Sequence, residues 1–160
     1  MEDPKTYTVA EAERFFAVEF FNKIWGLLEK AGRSEEEDQI MLEYAYASLA
    51  HWRVAGTPLN LQRGEWMLSR VYCVLGKVEP ALEHAHRCKQ LTDQHLDLMQ
   101  DFDLAFAWEC LARAHALAGH KEEVQKLCLQ AEQAGKLIKD EQDRKIFEGD
   151  FNGGDWYGLK

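Results

Sequence analysis

The chain has 160 residues and a mass of 18.5 kDa, which is the size of one ordinary globular domain. Its 19 Lys and Arg residues stand against 28 Asp and Glu residues, and the resulting formal charge of −9 would repel a phosphate backbone. With 46% hydrophobic residues, the composition excludes a disordered chain and argues against a role in nucleic-acid binding.

Cysteine spacing and hydropathy indicate the compartment. The four Cys at positions 73, 88, 110 and 128 include no Cys-x-x-Cys pair, so they predict neither a zinc ribbon nor a disulfide framework. The segment Met1–Pro4 is acidic and lacks the basic and apolar regions of a signal peptide. No run of about 18 apolar residues occurs. We therefore expect a cytoplasmic protein without a membrane span.

Two capping boxes open the first two predicted helices. Thr8-Val-Ala-Glu11 and Ser34-Glu-Glu-Glu37 each place a hydroxyl at the N-cap and a carboxylate three residues later. Apolar residues then recur at helical spacing until Gly32 ends the first helix and Gly56 ends the second. The acidic residues that follow Ser34 are explained by the positive end of a helix.

Five further helices follow by the same signals. Thr57 and Pro58 start the third, because proline suits the first helical turn. Nowhere do apolar residues alternate with period two between turn signals, so we predict no strand and an all-α fold. The later helices are expected over residues 58–76, 78–99, 101–118, 121–139 and 140–148.

Glycine spacing predicts a repeat. Gly32, Gly76 and Gly119 are separated by 44 and 43 residues, and each lies between two long helices. A fixed period of this kind is typical of a helical solenoid, in which each hairpin buries its apolar face on the next. We expect one domain over residues 1–148 and a Gly- and aromatic-rich, non-helical tail over 149–160. The three hairpins are predicted at about 8–55, 58–99 and 101–139.

The second and third hairpins carry a further pattern. The first of these reads Leu68-Ser69-x-x-Tyr72-x-x-x-Gly76, then Ala81-x-x-x-Ala85-x-x-Cys88. The other reads Trp108-x-x-Leu111-Ala112-x-x-His115-x-x-x-Gly119, then Val124-x-x-x-Cys128-x-x-Ala131. This resembles the tetratricopeptide repeat over residues 60–138. Its period is longer than the family's ~34 residues, Ser69 and Ala112 replace a glycine, and the closing proline is absent.

The resemblance implies a right-handed superhelix of antiparallel hairpins whose first helices line a concave face. On that face the strongest candidates for a peptide-binding groove are Arg63, Trp66, Arg70, Cys73, Phe106, Glu109 and Arg113. The same mapping adds Val74, Ala116 and Leu117, and in the first hairpin Glu19, Asn22, Gly26, Glu29 and Lys30.

Arg70 and Arg113 occupy equivalent positions one repeat apart. An arginine can hold a carboxylate through two parallel hydrogen bonds, and Trp66 and Phe106 would provide apolar anchors beside it. One interpretation is therefore a peptide groove with an anion clamp. The alternative is that both arginines pair with acidic neighbours such as Glu109 and have a structural role.

Histidines and cysteines offer a weaker candidate. His84, Cys88 and His95 form one stripe on a helix, but His95 lies ~10 Å along the axis from Cys88, so only His84 and Cys88 could share an ion. Cys88 also falls on a packing position of the repeat, where a thiol fills space. We predict no metal and no cofactor, and we expect His115 to be a hydrogen-bonded core residue.

No motif for catalysis is present. The chain has only three serines and lacks Gly-x-Ser-x-Gly, a phosphate-binding glycine loop and His-Glu-x-x-His. The sequence predicts a protein that is not an enzyme.

The tail combines Phe151, Trp156 and Tyr157 with glycine and aspartate. These aromatic side chains would be costly to leave in water, so we expect the tail to dock. Three arrangements stay open: a cap on the last hairpin, insertion into the concave groove of the same or a neighbouring chain, or order only on binding a partner.

The function that these observations favour is a non-catalytic module that binds an unidentified protein or peptide. A second hypothesis is self-association, with a homodimer formed through the tail or through the aromatic first helix, which carries Phe15, Phe16, Phe20, Phe21, Ile24 and Trp25. A third is a small-molecule- or metal-binding helical protein that uses His84 and Cys88.

Overall fold

The computed structural model describes residues 5–160, and these residues contain no β-strand. The prediction of an all-α fold is confirmed for this part of the chain. A short 3-10 helix, Leu96–Leu98, lies between the fourth and fifth helices. The α-helices are α1 (Val9–Leu28), α2 (Glu35–Ala55), α3 (Pro58–Val74), α4 (Val78–Gln94), α5 (Asp101–Leu117), α6 (Lys121–Lys136) and α7 (Glu141–Asn152).

The predicted caps begin the first two helices. The Thr8 hydroxyl accepts a hydrogen bond from the Glu11 amide at 3.2 Å, and Glu11 accepts one from the Thr8 amide at 2.8 Å. Ser34 and Glu37 repeat this exchange at 3.2 and 3.0 Å. Each pair satisfies amide groups that a helix start leaves without partners, so these boundaries follow from local chemistry.

The three equally spaced glycines adopt the same backbone conformation. Gly32, Gly76 and Gly119 have φ values of +67°, +68° and +76°, in the left-handed region that favours glycine. A Cβ at any of the three would meet no atom within 4 Å, so glycine is required by the backbone and not by packing. The repeat in the sequence is thus a repeated chain reversal.

The helices pack as consecutive pairs. α1 packs against α2, α3 against α4, and α5 against α6, with short links that make each pair a helical hairpin. Neighbouring pairs meet through α2 with α3 and α4 with α5, and α3 also contacts α5 directly. α7 packs on α5 and α6. The first helices of the second and third pairs are therefore neighbours, as a groove on that face requires.

Four helix ends differ from the sequence prediction by three or more residues, and the first is that of α1, which stops at Leu28 and not beside Gly32. α4 stops at Gln94 and is followed by a 3-10 turn, and α6 stops at Lys136. α7 continues to Asn152, so the first four residues of the predicted non-helical tail are helical. The reason is burial: Phe147 and Phe151, four residues apart, lie on one face of α7 and are 2% and 8% exposed.

The C-terminal residues complete the core of the last hairpin. Phe147, Phe151 and Trp156 belong to one apolar cluster with small residues of α5 and α6, including Ala105 and Ala131. The tail, defined here as residues 153–160, is therefore docked on its own chain. It covers the last hairpin and also reaches α3, where the Tyr157 hydroxyl donates to the Cys73 carbonyl at 3.0 Å.

Candidate binding face

A cleft lined by aromatic rings lies where α1, α3, α5 and α7 meet. Its volume is about 250 Å³. We call it the aromatic pocket. The residues that line it are Phe21, Trp25, Gln62, Arg63, Trp66, Phe102, Asp103, Phe106, Ile146 and Asp150.

The rings of the aromatic pocket form part of a longer row. Trp25 lies 5.9 Å from Trp66 and Trp66 lies 5.7 Å from Phe106, measured between ring centroids. Phe106 in turn meets Phe147 edge-on at 5.2 Å, which links the pocket to the buried face of α7. Such pairs add about 0.5–1.5 kcal/mol each beyond their buried area, so the ring contacts stabilise this apolar wall.

Arg63 is paired within the pocket wall. Its Nε and NH2 donate to the two carboxylate oxygens of Asp103 at 2.9 and 3.0 Å, and its guanidinium lies over the Phe102 ring at 5.0 Å. The Asp103 side chain is 3% exposed. This two-bond geometry neutralises both charges, so the pocket presents neither a free cation nor a free anion at this edge.

Arg70 lies between two acids. It donates to Asp150 at 3.4 Å, and its NH1 is 3.9 Å from the Glu109 carboxylate. The guanidinium lies 5.8 Å from the Trp66 ring centroid. Arg70 therefore has acidic partners from both α5 and α7, which is the structural alternative that the sequence left open.

Arg113 is fully engaged by its own chain. Its Nε donates to the Glu109 carboxylate at 2.5 Å. The four remaining N–H groups donate to main-chain carbonyls: NH2 to Asp150 at 2.8 Å, NH1 to Asp155 at 3.0 Å, and both to Gly153 at 3.2 and 3.3 Å. All five donors of a guanidinium are thereby used. Arg113 therefore offers no free N–H to a ligand carboxylate, whereas NH1 of Arg70 is buried and has no hydrogen-bond partner among the described residues.

The tail is shaped to enclose Arg113. Trp156 covers the guanidinium with its ring centroid 4.1 Å from Cζ. A Cβ at Gly154, where φ is +71°, would lie 2.7 Å from NH1 of Arg113. Gly154 is therefore required both by its backbone conformation and by the close approach of the arginine.

The thiols near this face are protonated at neutral pH. Cys73 is 4% exposed, and burial raises its pKa to about 12. A hydrogen bond with Cys88 and burial raise the pKa of Cys110 well above its usual range. Because the thiolate is the nucleophile and metal ligand, these cysteines act as small apolar core residues. Cys128, the fourth, is half-buried and also free.

His84, the histidine predicted as a possible partner of Cys88, is bonded to other side chains. His84 is bonded through Nδ1 to Glu65 at 2.6 Å and through Nε2 to the Tyr46 hydroxyl at 3.2 Å, which leaves neither ring nitrogen for an ion beside Cys88. Burial and the neighbouring His120 and His86 lower the pKa of His115. Among residues 5–160, no group of three or more His, Cys, Asp or Glu is placed to hold a metal.

One buried amide is oriented by its neighbours. Gln62 Nε2 donates to the Thr92 hydroxyl at 3.0 Å, and that hydroxyl donates to the Cys88 carbonyl at 2.8 Å. Gln62 Oε1 is consequently the end without a partner among the described residues, and the indole N–H of Trp66 is likewise unpaired and buried. The pocket is lined by two residues that hold one spare acceptor and one spare donor.

The structure divides the seven predicted site residues between two adjoining places. Arg63, Trp66 and Phe106 line the aromatic pocket. Trp66 also belongs to the second place, a polar layer against the tail that contains the other four, Arg70, Cys73, Glu109 and Arg113. In the first hairpin the sequence pointed to Glu19, Asn22, Gly26, Glu29 and Lys30, whereas the pocket is lined by Phe21 and Trp25.

The pocket residues that the sequence analysis missed come from α1, from Gln62 on α3, from the start of α5 and from α7. Phe21 and Trp25 carried a signal, because α1 has more aromatic side chains than one packing stripe needs. Asp103, Ile146 and Asp150 carried none, since their roles depend on which helices become neighbours.

None of the described helices is both long and apolar enough to cross a lipid bilayer. The chain matches no protein-family model, and comparison with curated proteins and with solved structures yields no match.

Proposed function

We propose that the protein is a non-catalytic interaction module of the cytoplasm, built as a tetratricopeptide-like right-handed superhelix whose concave face binds a segment of a partner protein. The three helix pairs with equivalent left-handed glycines support this architecture. The protonated thiols and the paired histidine support a non-catalytic role.

The aromatic pocket carries the proposal. Its volume of about 250 Å³ lies below the range of roughly 300–1,000 Å³ typical of small-molecule sites, and suits a single large side chain. The lining is almost entirely apolar, and its one cation, Arg63, is neutralised by Asp103. We infer that the anchor is an uncharged aromatic or branched apolar side chain, as in many peptide-binding grooves.

The spare donor and acceptor support a peptide over a purely apolar ligand. A peptide unit has one N–H and one C=O, which match Gln62 Oε1 and the Trp66 indole N–H. Both atoms are buried, so a ligand can form hydrogen bonds with them only when the Trp66 ring shifts. Satisfying a buried polar group contributes about 1–3 kcal/mol, enough to favour a peptide once the anchor is seated.

A pocket-filling substitution tests the proposal. Ile146 lies at the rim and is 51% exposed, so Ile146→Trp blocks the pocket without disturbing the core. Leu129→Trp on α6 is the matched control, because Leu129 is also 51% exposed and lies outside the pocket. Peptides are selected from a random display library on the wild-type chain and their affinities measured on all three proteins.

We expect selected peptides to share an apolar anchor and to bind Ile146→Trp at least about tenfold more weakly, since hot-spot contacts are worth more than ~1 kcal/mol. Binding to Leu129→Trp should equal that of the wild type. Equal binding to all three proteins, or a selection that yields no binders, rejects the aromatic pocket as the site.

Self-association is a second candidate, favoured by one observation. Tyr7, Phe15, Phe16 and Val18 are each 40–44% exposed at the N-terminal end of the fold, and the Tyr7 and Phe16 rings lie 5.6 and 5.4 Å from Phe15. An exposed aromatic patch of this kind is a common dimer interface. Light scattering decides the matter: a mass of 18.5 kDa at micromolar concentration excludes a stable homodimer.

A further inference from the structure

The contacts of the tail describe a recognition site. Arg113 binds the carbonyls of Asp150, Gly153 and Asp155, and Trp156 lies on its guanidinium. All of these N–H donors belong to Arg113 on α5, which is 5% exposed. The residues bound there are the end of α7 and the irregular segment after it. The site therefore recognises the position of backbone carbonyls together with the ring of Trp156.

Selectivity at this site comes from residues 154 and 157, which lie beside the backbone contacts of Arg113. Gly154 admits NH1 of Arg113 where any Cβ would collide. Tyr157 donates its hydroxyl to the Cys73 carbonyl on α3, and it is the single non-glycine residue of 5–160 with positive φ, at +55°. Such a conformation is uncommon for a bulky residue, so the site holds the segment in a shape that a free chain seldom adopts.

We propose that Arg113, with Glu109 and the Cys73 carbonyl, forms a second binding site for irregular segments of Gly-Gly-Asp-Trp-Tyr type, and that residues 153–157 are its resident ligand. A partner segment of the same chemistry occupies the site when the tail leaves it. This inference rests on the proposed function in one respect only, namely that the concave face binds segments of other chains. It does not depend on the aromatic pocket.

Competition from the tail explains why the site is hidden in the wild-type chain. A tethered segment acts at an effective concentration of order mM, and an external ligand sees only the fraction of molecules whose site is open. The wild-type protein should therefore bind a free copy of the segment poorly, and loosening the tail should raise the apparent affinity.

Two glycine substitutions separate tail release from general strain. Gly154→Ala places a Cβ against Arg113, whereas Gly158→Ala has the same left-handed strain (φ +75°) but meets no atom within 4 Å. The probe is a fluorescent synthetic peptide of residues 151–160, added to each full-length protein and followed by anisotropy. Circular dichroism verifies that each variant is folded.

We expect the peptide to bind Gly154→Ala at least about tenfold more tightly than it binds the wild type or Gly158→Ala. Peptides that carry Ala at position 154 or at position 156 should bind Gly154→Ala at least about tenfold more weakly than the unaltered peptide. Equal binding of the peptide to all three proteins, or equal binding of the altered peptides, overturns the proposal.

A second route keeps the test decisive if Gly154→Ala does not fold. Tyr157→Ala loosens the tail from the α3 side by removing the bond to the Cys73 carbonyl, and it should expose the site to the same peptide. Ile146→Trp, added to Tyr157→Ala, should leave the peptide's binding unchanged, because Ile146 lines the aromatic pocket and neither cavity beside Arg113. Failure of this inference is thereby distinguished from failure of the proposed pocket.

Discussion

Phe147 lies directly against the backbone of Gly135. A Cβ on Gly135 would be 2.7 Å from Cδ1 of the Phe147 ring and closer still to Cε1. This contact seats α7 on α6, and it places the buried face of α7 in line with Phe106. The position of α7, and with it one wall of the aromatic pocket, depends on the absence of a side chain at a single residue.

Gly135→Ala should destabilise the protein by about 1–3 kcal/mol, because the ring cannot be accommodated without a shift of α7. Gly149→Ala is the control in α7: its Cβ meets no atom within 4 Å, so it should stabilise by about 0.5–1 kcal/mol through helix propensity. Urea unfolding measures both. A Gly135→Ala protein as stable as the wild type, or more stable, would contradict the contact.

Trp156→Ala should lower the free energy of unfolding by about 3–5 kcal/mol, the usual cost of removing a buried aromatic ring. Trp156 is 7% exposed and packs on Phe151 and Arg113. Tyr157→Phe, which removes one hydrogen bond, should lower the free energy of unfolding by only about 1 kcal/mol.

Deletion of residues 149–160 should lower the melting temperature more than Trp156→Ala does. Calorimetry that gives the wild-type melting temperature for Trp156→Ala would show that the tail is not docked.

The Arg63–Asp103 pair should show measurable coupling. Arg63→Met leaves the buried Asp103 carboxylate without its ion partner, and Asp103→Asn removes the charge from the other side. Each single variant should lower the free energy of unfolding by about 2 kcal/mol. The loss in the double variant should be at least about 1 kcal/mol smaller than the sum of the two single losses. A double-mutant cycle from urea melts tests this, and strict additivity would mean that the pair contributes nothing.

Stability should fall at mildly acidic pH because of His115. Burial, and then the positive charges of His120 and His86, lower its pKa in the folded state, while Glu123 acts in the opposite direction. The unfolded chain therefore binds a proton that the folded chain resists. The stability that neutral His115 contributes is fully present above the ordinary histidine pKa of 6.5. It is lost as the pH falls through the lower pKa of the folded state.

The matching measurement is urea unfolding of the wild type, His115→Gln and His120→Gln between about pH 7.5 and pH 5. His115→Gln should show a smaller loss of stability on acidification than the wild type. His120→Gln should fall between them, because one of the two neighbouring histidines is removed. An identical pH dependence in all three proteins would exclude His115 as a source.

Helix starts and chain reversals could be predicted because their causes are local. Thr8 and Ser34 satisfy amides within three residues, and the left-handed turn at Gly76 needs nothing beyond its own backbone. These signals lie within a few neighbouring residues, so no knowledge of tertiary structure is needed to read them.

The candidate site could be predicted only in part. The mapping placed Trp66 and Phe106 on the inner face, but it did not bring in Phe21, because the register of α1 against α3 depends on packing between distant parts of the chain. The occupation of Arg113 was beyond sequence reasoning for a different reason. Its partners are main-chain carbonyls, which every residue has, so no pattern of side chains in the sequence predicts them.

The engagement of Arg113 also sets an order for completing the fold during synthesis. Glu109 and Arg113 are both on α5, but the three carbonyls that accept from the guanidinium belong to Asp150, Gly153 and Asp155. During synthesis the Glu109–Arg113 ion pair therefore lacks these carbonyls until about forty more residues have been added. Chains that stop, or are trimmed, before Gly153 lack two of the three residues whose carbonyls bury this charge, so truncation before that residue leaves Arg113 without most of its main-chain partners.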